Sequence, residues 1–275
     1  MLIGAMRGLG DSCYQRAYVK KFPGAYIDTP FPEIFDDLDV KPVRPSTNLR
    51  TQKKNIERVA SWFHRPNERE RKIRYGKDGI IRGMTESFGV EPSEFDLPDF
   101  GHSPVAGEYV VVRPVTVREE WRADTRNPLP EYVGYASRYA HSKGLKVVSI
   151  ADLEANKEWL IGDAPYADIT YHSGELDVTQ LMALIAGAKA VIGGIGWIVP
   201  ATICYRVPAW IICGGQGGYN APEKITSPLM GEHKTEFLVP DNFCHCTLKM
   251  HQCDKRISNY DARFAEWLDR LLAVE

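Results

Sequence analysis

Three stretches of this chain combine residue types that could do chemistry. The first is the turn Arg7-Gly8-Leu9-Gly10-Asp11-Ser12. Its two glycines let a ligand approach the backbone, and a carboxylate stands beside them. A carboxylate base must come within ~3 Å of the proton it removes, and a turn at the end of a strand fixes such a group well. Asp11 is therefore the candidate base, with Arg7, Gly10 and Ser12 as candidate acceptor-side contacts. Asp11 also has a structural reading, as a cap on the helix that follows, and the turn alone does not choose between the two. The second stretch, Gly193-Gly194-Ile195-Gly196-Trp197, precedes a short helix carrying Pro200. Backbone N–H groups and a positive helix end there suit a diphosphate, which makes Gly194, Ile195, Gly196 and Trp197 candidate donor contacts. Close packing of strand on helix would select the same glycines. The third is the loop with Arg113, Thr116, Arg118, Arg122 and Arg126, in which Thr116, Arg118 and Arg126 are candidate phosphate contacts. Arginines converging on a cleft could neutralise a leaving diphosphate without a metal ion. Taken singly, each is equally an ordinary solvated arginine.

The pattern of the chain supplies elements to hold these residues. Leu2 to Met6 reads as a strand, Cys13 to Lys21 as a helix and Ala25 to Thr29 as a second strand. Tyr109 to Val112 is an unbroken aromatic and β-branched run, expected of a strand buried on both faces. Tyr132, Val133, Ala136, Tyr139 and Ala140 recur at helical spacing ahead of a strand from Lys146 to Ile150. Asp177 can cap a helix with Leu181, Leu184, Ile185 and Ala188 inward, before strands at Ala190 to Gly193 and Ala209 to Cys213. Tyr260, Phe264, Trp267, Leu268 and Leu271 mark a C-terminal helix over 259–273. Alternating strands and helices predict an α/β protein with parallel sheets flanked by helices, and ligands at the carboxyl ends of the strands. A length of 275 residues suits two Rossmann-like halves. We place these at 1–105 and 106–275, with a loop-like linker from Pro92 to Pro104.

Composition narrows the class further. A formal charge of -2 and 25% charged residues carry no overall pull toward polyanions. No apolar run approaches the ~18 residues that span a bilayer, and MLIGAM is too short for a signal peptide, so a cytoplasmic protein is expected. Basic charge is local: ten Lys or Arg residues lie between Arg50 and Lys77, with Trp62, Phe63 and His64 among them. This 47–78 segment reads as a mobile or surface helical insertion that is either a solvated face or a grip on phosphorylated saccharides or DNA. Near the C-terminus stand Cys244, His245, Cys246, His251 and Cys253. They lack the paired Cys-x-x-Cys spacing of common zinc folds, so no metal site is expected and zinc at Cys244, Cys246 and Cys253 is disfavoured.

Taken in order, RGLGDS, YVVVRPVT with Arg126-Asn127-Pro128, LMALIAGAKAVIGGIGW and FCHCTLKMHQC resemble the ADP-heptose lipopolysaccharide heptosyltransferases. The resemblance spans nearly the whole chain and is poor from Thr29 to Gly79. It implies the two-domain type-B glycosyltransferase fold and metal-independent, inverting transfer from a nucleotide-diphosphate sugar. It also implies Asp11 as the base, Thr116 and Arg126 near the donor phosphates, and the Gly194 to Trp197 turn on the diphosphate. Where that family carries an Asp-Thr-Gly-x-x-His signature, this chain has Gly194-Ile195-Gly196-Trp197-Ile198-Val199, which implies a sugar other than heptose. The expected activity is transfer of a hexosyl, heptosyl or pentosyl group to a hydroxyl, most simply of a saccharide. Two other readings are a phage-type enzyme glycosylating hydroxylated DNA bases through the 50–77 segment, and an inactive sugar-nucleotide-binding module.

Overall fold

The computed structural model describes residues 1–273; positions 274 and 275, the end of the second half as read from the sequence, lie outside the described residues. The first sheet contains β1 (Leu2–Gly4), β2 (Ala25–Asp28), β3 (Val40–Val43) and β4 (Glu70–Lys72), all parallel in the order β3-β2-β1-β4. Helices α1 (Leu9–Val19), α2 (Arg50–Arg58) and α3 (Ile80–Phe88) accompany it. The second sheet takes β5 (Tyr109–Arg113), β7 (Lys146–Ile150), β9 (Ile169–Tyr171), β10 (Ala190–Gly194), β11 (Ala209–Ile212) and β12 (Thr235–Leu238). A small antiparallel ribbon joins β6 (Thr116–Arg118) to β8 (Glu158–Leu160). The remaining helices are α4 (Pro130–Ser142), α5 (Val178–Ala186), α6 (Ile198–Tyr205), α7 (Gly217–Asn220), α8 (Pro222–Ile225) and α9 (Tyr260–Leu272). The two main sheets fall on either side of residue 105, and the class is the parallel α/β arrangement with flanking helices.

The second sheet runs β12-β11-β10-β5-β7-β9, parallel throughout. Counting its six strands by first appearance, this is the order 6-5-4-1-2-3 of doubly wound nucleotide-binding folds. The chain reverses direction of travel between β5 and β10, so a crevice must open beyond the carboxyl ends of those two strands. The register puts Arg113 abreast of Gly193 at that point. The Arg113 loop and the Gly194 to Trp197 turn thus leave the sheet side by side.

Local chemistry explains why these elements form. Tyr109 to Val112 are each at most 1% exposed, as an apolar run covered on both faces requires. Helix α5 begins in a reciprocal cap, with the Gln180 N–H donating to Asp177 Oδ1 at 2.8 Å and the Asp177 N–H to Gln180 Oε1 at 3.1 Å. Helix α9 docks its Tyr260 ring on Tyr132 of α4 at 4.3 Å and its Trp267 on Trp210 of β11 at 5.0 Å.

Two expectations from the sequence are corrected. The 47–78 segment is built into the first sheet: it supplies α2 and then β4, which pairs directly with β1. Its charge disguised it, because β4 is only three residues of Glu-Arg-Lys at a sheet edge. The 92–104 stretch is loop-like but packed, since Phe95 is 1% exposed and sets its ring edge against Tyr18.

Candidate active site

A cleft of about 470 Å³ lies between the two sheets, a size that suits a nucleotide-sized ligand. Asp11, Gln52 and Tyr75 line it from the first half; Arg113, Arg126 and the Gly194 to Trp197 turn line it from the second. Residues from all three reactive stretches of the sequence therefore meet in one place.

Asp11 sits in the first turn of α1. Its Oδ2 accepts the Gly8 N–H at 3.0 Å, so the capping role is real. The other carboxylate oxygen accepts no hydrogen bond among the described residues, and the side chain borders the cleft. Burial pushes its pKa up to about 6, against the opposing pull of the Gly8 N–H and of the Arg126 charge. An acid poised there is ionised at neutral pH yet basic enough to accept a proton.

Opposite it, the guanidinium groups of Arg113 and Arg126 make no hydrogen bond or ion pair with protein groups among the described residues, and Arg126 Nε is buried without a partner. Desolvation pulls the Arg113 pKa down to about 10, helped by repulsion from Arg126. The Arg126 pKa is lowered by desolvation and by the Arg118 charge, with Asp11 opposing. Holding two like charges in so dry a place is costly unless an anion joins them. A Cβ placed on Gly196 would stand 2.9 Å from Arg113 Nη1, so that turn brings its backbone against the guanidinium. The α6 N-terminus begins immediately beyond it, adding a positive helix end. The arrangement can bind a diphosphate.

The other candidates separate. Thr116 and Arg118 border the cleft, but Thr116 Oγ1 donates to Glu158 at 3.0 Å and Arg118 Nε to the same carboxylate at 2.7 Å. Arg122 is exposed and paired with Asp124 on the surface. Ser12 is wholly buried, its hydroxyl on the Gly8 carbonyl at 3.2 Å, and Arg7 is drawn away to Asp28 and the Ser46 carbonyl. Neither reaches the cleft as an acceptor contact. The cause is helical geometry: Ser12 follows Asp11 by one position and points about 100° round the helix, into the core.

Gly10 is a packing residue. A Cβ there would lie 2.9 Å from Trp197 Cα, so α1 and α6 cross with backbone nearly in contact, setting the width of the cleft between Asp11 and the donor turn. Gly10→Ala should destabilise the protein by about 1–3 kcal/mol, because backbone cannot swing aside for the methyl group. A lower denaturant midpoint checks this; an unchanged one would show slack at the crossing. Gly194 is similarly confined: a Cβ there would meet Pro128 Cδ at 3.0 Å, so proline occupies the space an acidic side chain would need.

The sequence reading missed the acidic cluster that binds the halves together. Arg50 of α2 donates from Nη1 to Asp152 at 3.0 Å and Glu154 at 3.1 Å, and from Nη2 to the Asp152 carbonyl at 2.6 Å and Glu158 at 3.2 Å. Lys54 adds a 3.0 Å contact to Asp152, and Arg58 donates to the Gly174 and Leu176 carbonyls. Arg65, in the same segment, is spent on Asp28 and Glu70. Three basic residues of the 50–77 segment thus form a seam between the halves, while Lys53, Arg69, Lys72, Arg74 and Lys77 stay exposed, with no side-chain ion pair among the described residues. No spacing in the sequence signals a partner about a hundred residues away.

Near the C-terminus the structure gathers Cys244, Cys246, His251 and Cys253, whose ligand atoms all lie within 4.8 Å of one another. The residues set aside in the sequence for their spacing thus stand together. The Cys-x-Cys spacing is unlike common zinc motifs, but the chain turns back after Leu248 and closes the set with His251 and Cys253. His245 stays outside it, against Phe243.

No protein-family model matches the chain, and no curated protein sequence matches it. Solved structures do. The dodecameric iron-containing heptosyltransferase TibC, determined with ADP-D-β-D-heptose, aligns over 99% of this chain and 76% of its own with a TM-score of 0.61 at 12% identity. ADP-heptose lipopolysaccharide heptosyltransferase II of E. coli aligns over 99% and 98%, with a TM-score of 0.57 at 14% identity. A glycosyl transferase family 9 protein of Veillonella parvula aligns over 100% and 97%, with a TM-score of 0.53 at 12% identity. The chain has the two-domain type-B glycosyltransferase fold of these heptosyltransferase-like proteins. Among the described residues no helix is long and apolar enough to cross a membrane.

Proposed function

We propose that this protein is an inverting glycosyltransferase that moves a sugar from a nucleotide diphosphate to an acceptor hydroxyl. One observation carries the reading: in a fold shared with heptosyltransferases, Asp11 faces Arg113 and Arg126, two desolvated guanidinium groups without protein partners, across one cleft. The acceptor hydroxyl lies against Asp11, which takes its proton as the oxygen attacks the anomeric carbon. The bond to the diphosphate breaks on the opposite face, and Arg113, Arg126 and the α6 N-terminus receive the charge that leaves. Guanidinium groups rather than a metal ion do this work, so the chemistry is positioning and charge stabilisation. Six free cysteines suit a reducing cytoplasm.

Pro128 filling the space beside Gly194 supports a sugar other than heptose, because a heptosyltransferase of the resembled pattern places an aspartate there. Arg50, Lys54 and Arg58 are occupied within the protein, which leaves fewer cations for the phosphates on which DNA affinity chiefly depends and supports a saccharide acceptor. Partnerless, desolvated arginines favour an active donor site over an inactive module.

A thermal-shift series with ADP-, GDP-, UDP- and CDP-sugars tests the proposal. One nucleotide series should stabilise the fold, by about 2.7 kcal/mol when the ligand is at a hundred times its Kd. Duplex DNA at moderate salt should give no shift. Failure of every sugar nucleotide to bind would overturn the reading, and a strongly salt-dependent DNA shift would replace the acceptor.

A further inference from the structure

We infer that Cys244, Cys246, His251 and Cys253 hold one tetrahedral zinc ion, which fastens residues 239–259 to the loop that carries Arg126. Cys246 Sγ and Cys253 Sγ lie 3.8 Å apart, Cys244 Sγ lies 3.8 Å from His251 Nδ1, and His251 Nδ1 lies 3.1 Å from Cys253 Sγ. With zinc bonded at about 2.3 Å to sulfur and 2.0–2.1 Å to nitrogen, the edges of a tetrahedron come to roughly 3.5–3.8 Å. The four atoms are thus already near the corners such an ion requires. Three thiols and one imidazole form a closed structural set that leaves no position for substrate.

The surroundings show why an ion belongs there. From Val239 to Asn259 the chain forms no helix or strand, and most of its side chains are exposed. An ordered stretch of that length without regular structure needs something other than a core to hold it. Its backbone is pinned to two neighbours. Gly217 and Gly218 donate to the Cys244 and Cys246 carbonyls at 2.9 and 3.1 Å, and Thr125 donates to the Lys249 carbonyl at 3.1 Å. Gly215 has no room for a side chain, since a Cβ there would lie 2.3 Å from Cys253 Sγ, and its N–H donates to the Thr125 carbonyl at 2.7 Å. Lys255 donates from the same segment to the Asp124 carbonyl at 2.9 Å. The four ligands therefore close a knot on Asp124 and Thr125, immediately before Arg126. The metal site stands apart from the proposed transfer reaction, and only its effect on Arg126 rests on that reading.

The test is metal analysis of the protein purified under reducing conditions without added chelator. One equivalent of zinc is expected, reduced below a tenth in Cys246→Ser and in His251→Ala. Exchange with cobalt(II) should give the visible bands of a tetrahedral thiolate site. Chelation should open residues 239–259 to protease while the sheets stay protected. Metal-free protein with the three ligand thiols reduced, metal content unchanged by both substitutions, or a Cys246–Cys253 disulfide would each overturn the proposal. Iron on the same ligands would overturn the choice of zinc. Because these readouts involve no sugar nucleotide, they stand or fall independently of the activity.

Discussion

Asp11→Asn should lower turnover by about 100-fold or more while leaving sugar-nucleotide binding nearly intact, the usual scale for removing a general base. The amide can still accept the Gly8 N–H, so the start of α1 survives and the loss reports on chemistry. The pH profile supplies a second signature. Burial raises the Asp11 pKa to about 6, so the residue is protonated below that pH and unable to take the acceptor's proton. For the wild type, kcat/KM should climb tenfold per pH unit below about 6 and level off above it. In the variant that limb should vanish. Stability should move oppositely. A carboxyl group whose folded pKa is raised contributes most below its unfolded pKa and loses that contribution as pH rises through about 6. Asp11→Asn should therefore melt no lower than wild type at pH 8. A wild-type profile flat through pH 6, with turnover preserved in the variant, would remove Asp11 from this role.

Arg126→Met should depress kcat by on the order of 10²- to 10³-fold, the range for deleting one preorganised charge-stabilising donor. The same substitution should raise Tm. The Arg126 guanidinium has no hydrogen-bonding partner among the described residues, and its Nε is buried and unsatisfied, so the folded protein without ligand bears the cost of keeping that charge dry. Each kcal/mol relieved is worth about 2–4 °C for a chain of this size. Arg126→Lys keeps the charge but loses the planar fork, and should recover only part of the rate. Stability and activity moving in opposite directions at one residue distinguishes a ligand-binding cation from a structural one. A lower Tm in Arg126→Met would place the guanidinium among the groups that hold the fold.

Much of this was legible in the residues. The run from Tyr109 to Val112, the Asp177 cap and the apolar face of Tyr260, Phe264 and Trp267 each point to one element without tertiary help, and together they give the alternating α/β pattern. Asp11 and the glycine turn could be found because parallel strands deliver such turns to a common edge. What stayed hidden depends on pairings distant in sequence. Nothing in the spelling of residues 113–126 tells Arg113 and Arg126, which are free, from Thr116 and Arg118, which are not. The difference is Glu158, on a three-residue strand some forty positions later. The same blindness hid that Arg50, Lys54 and Arg58 of the basic segment are spent on the second half. Ser12 and Arg7 were misplaced for local reasons, one by the rotation of a helix and the other by a long side chain reaching Asp28. The cysteines were discounted on spacing alone, although the turn after Leu248 brings them together.

The seam around Arg50 bears on how separable the two halves are. Asp152, Glu154 and Glu158 belong to the second half, and Asp152 and Glu158 border the same cleft as Arg113 and Arg126. Arg50 and Lys54, which offset these carboxylates, come from the first half. Residues 106–275 in isolation would retain every arginine assigned to the diphosphate, yet Asp152 and Glu154 would lose the cations that offset them and Glu158 would keep only Arg118. The halves are therefore not interchangeable modules: the electrical sign of the donor pocket is a property of the joined chain.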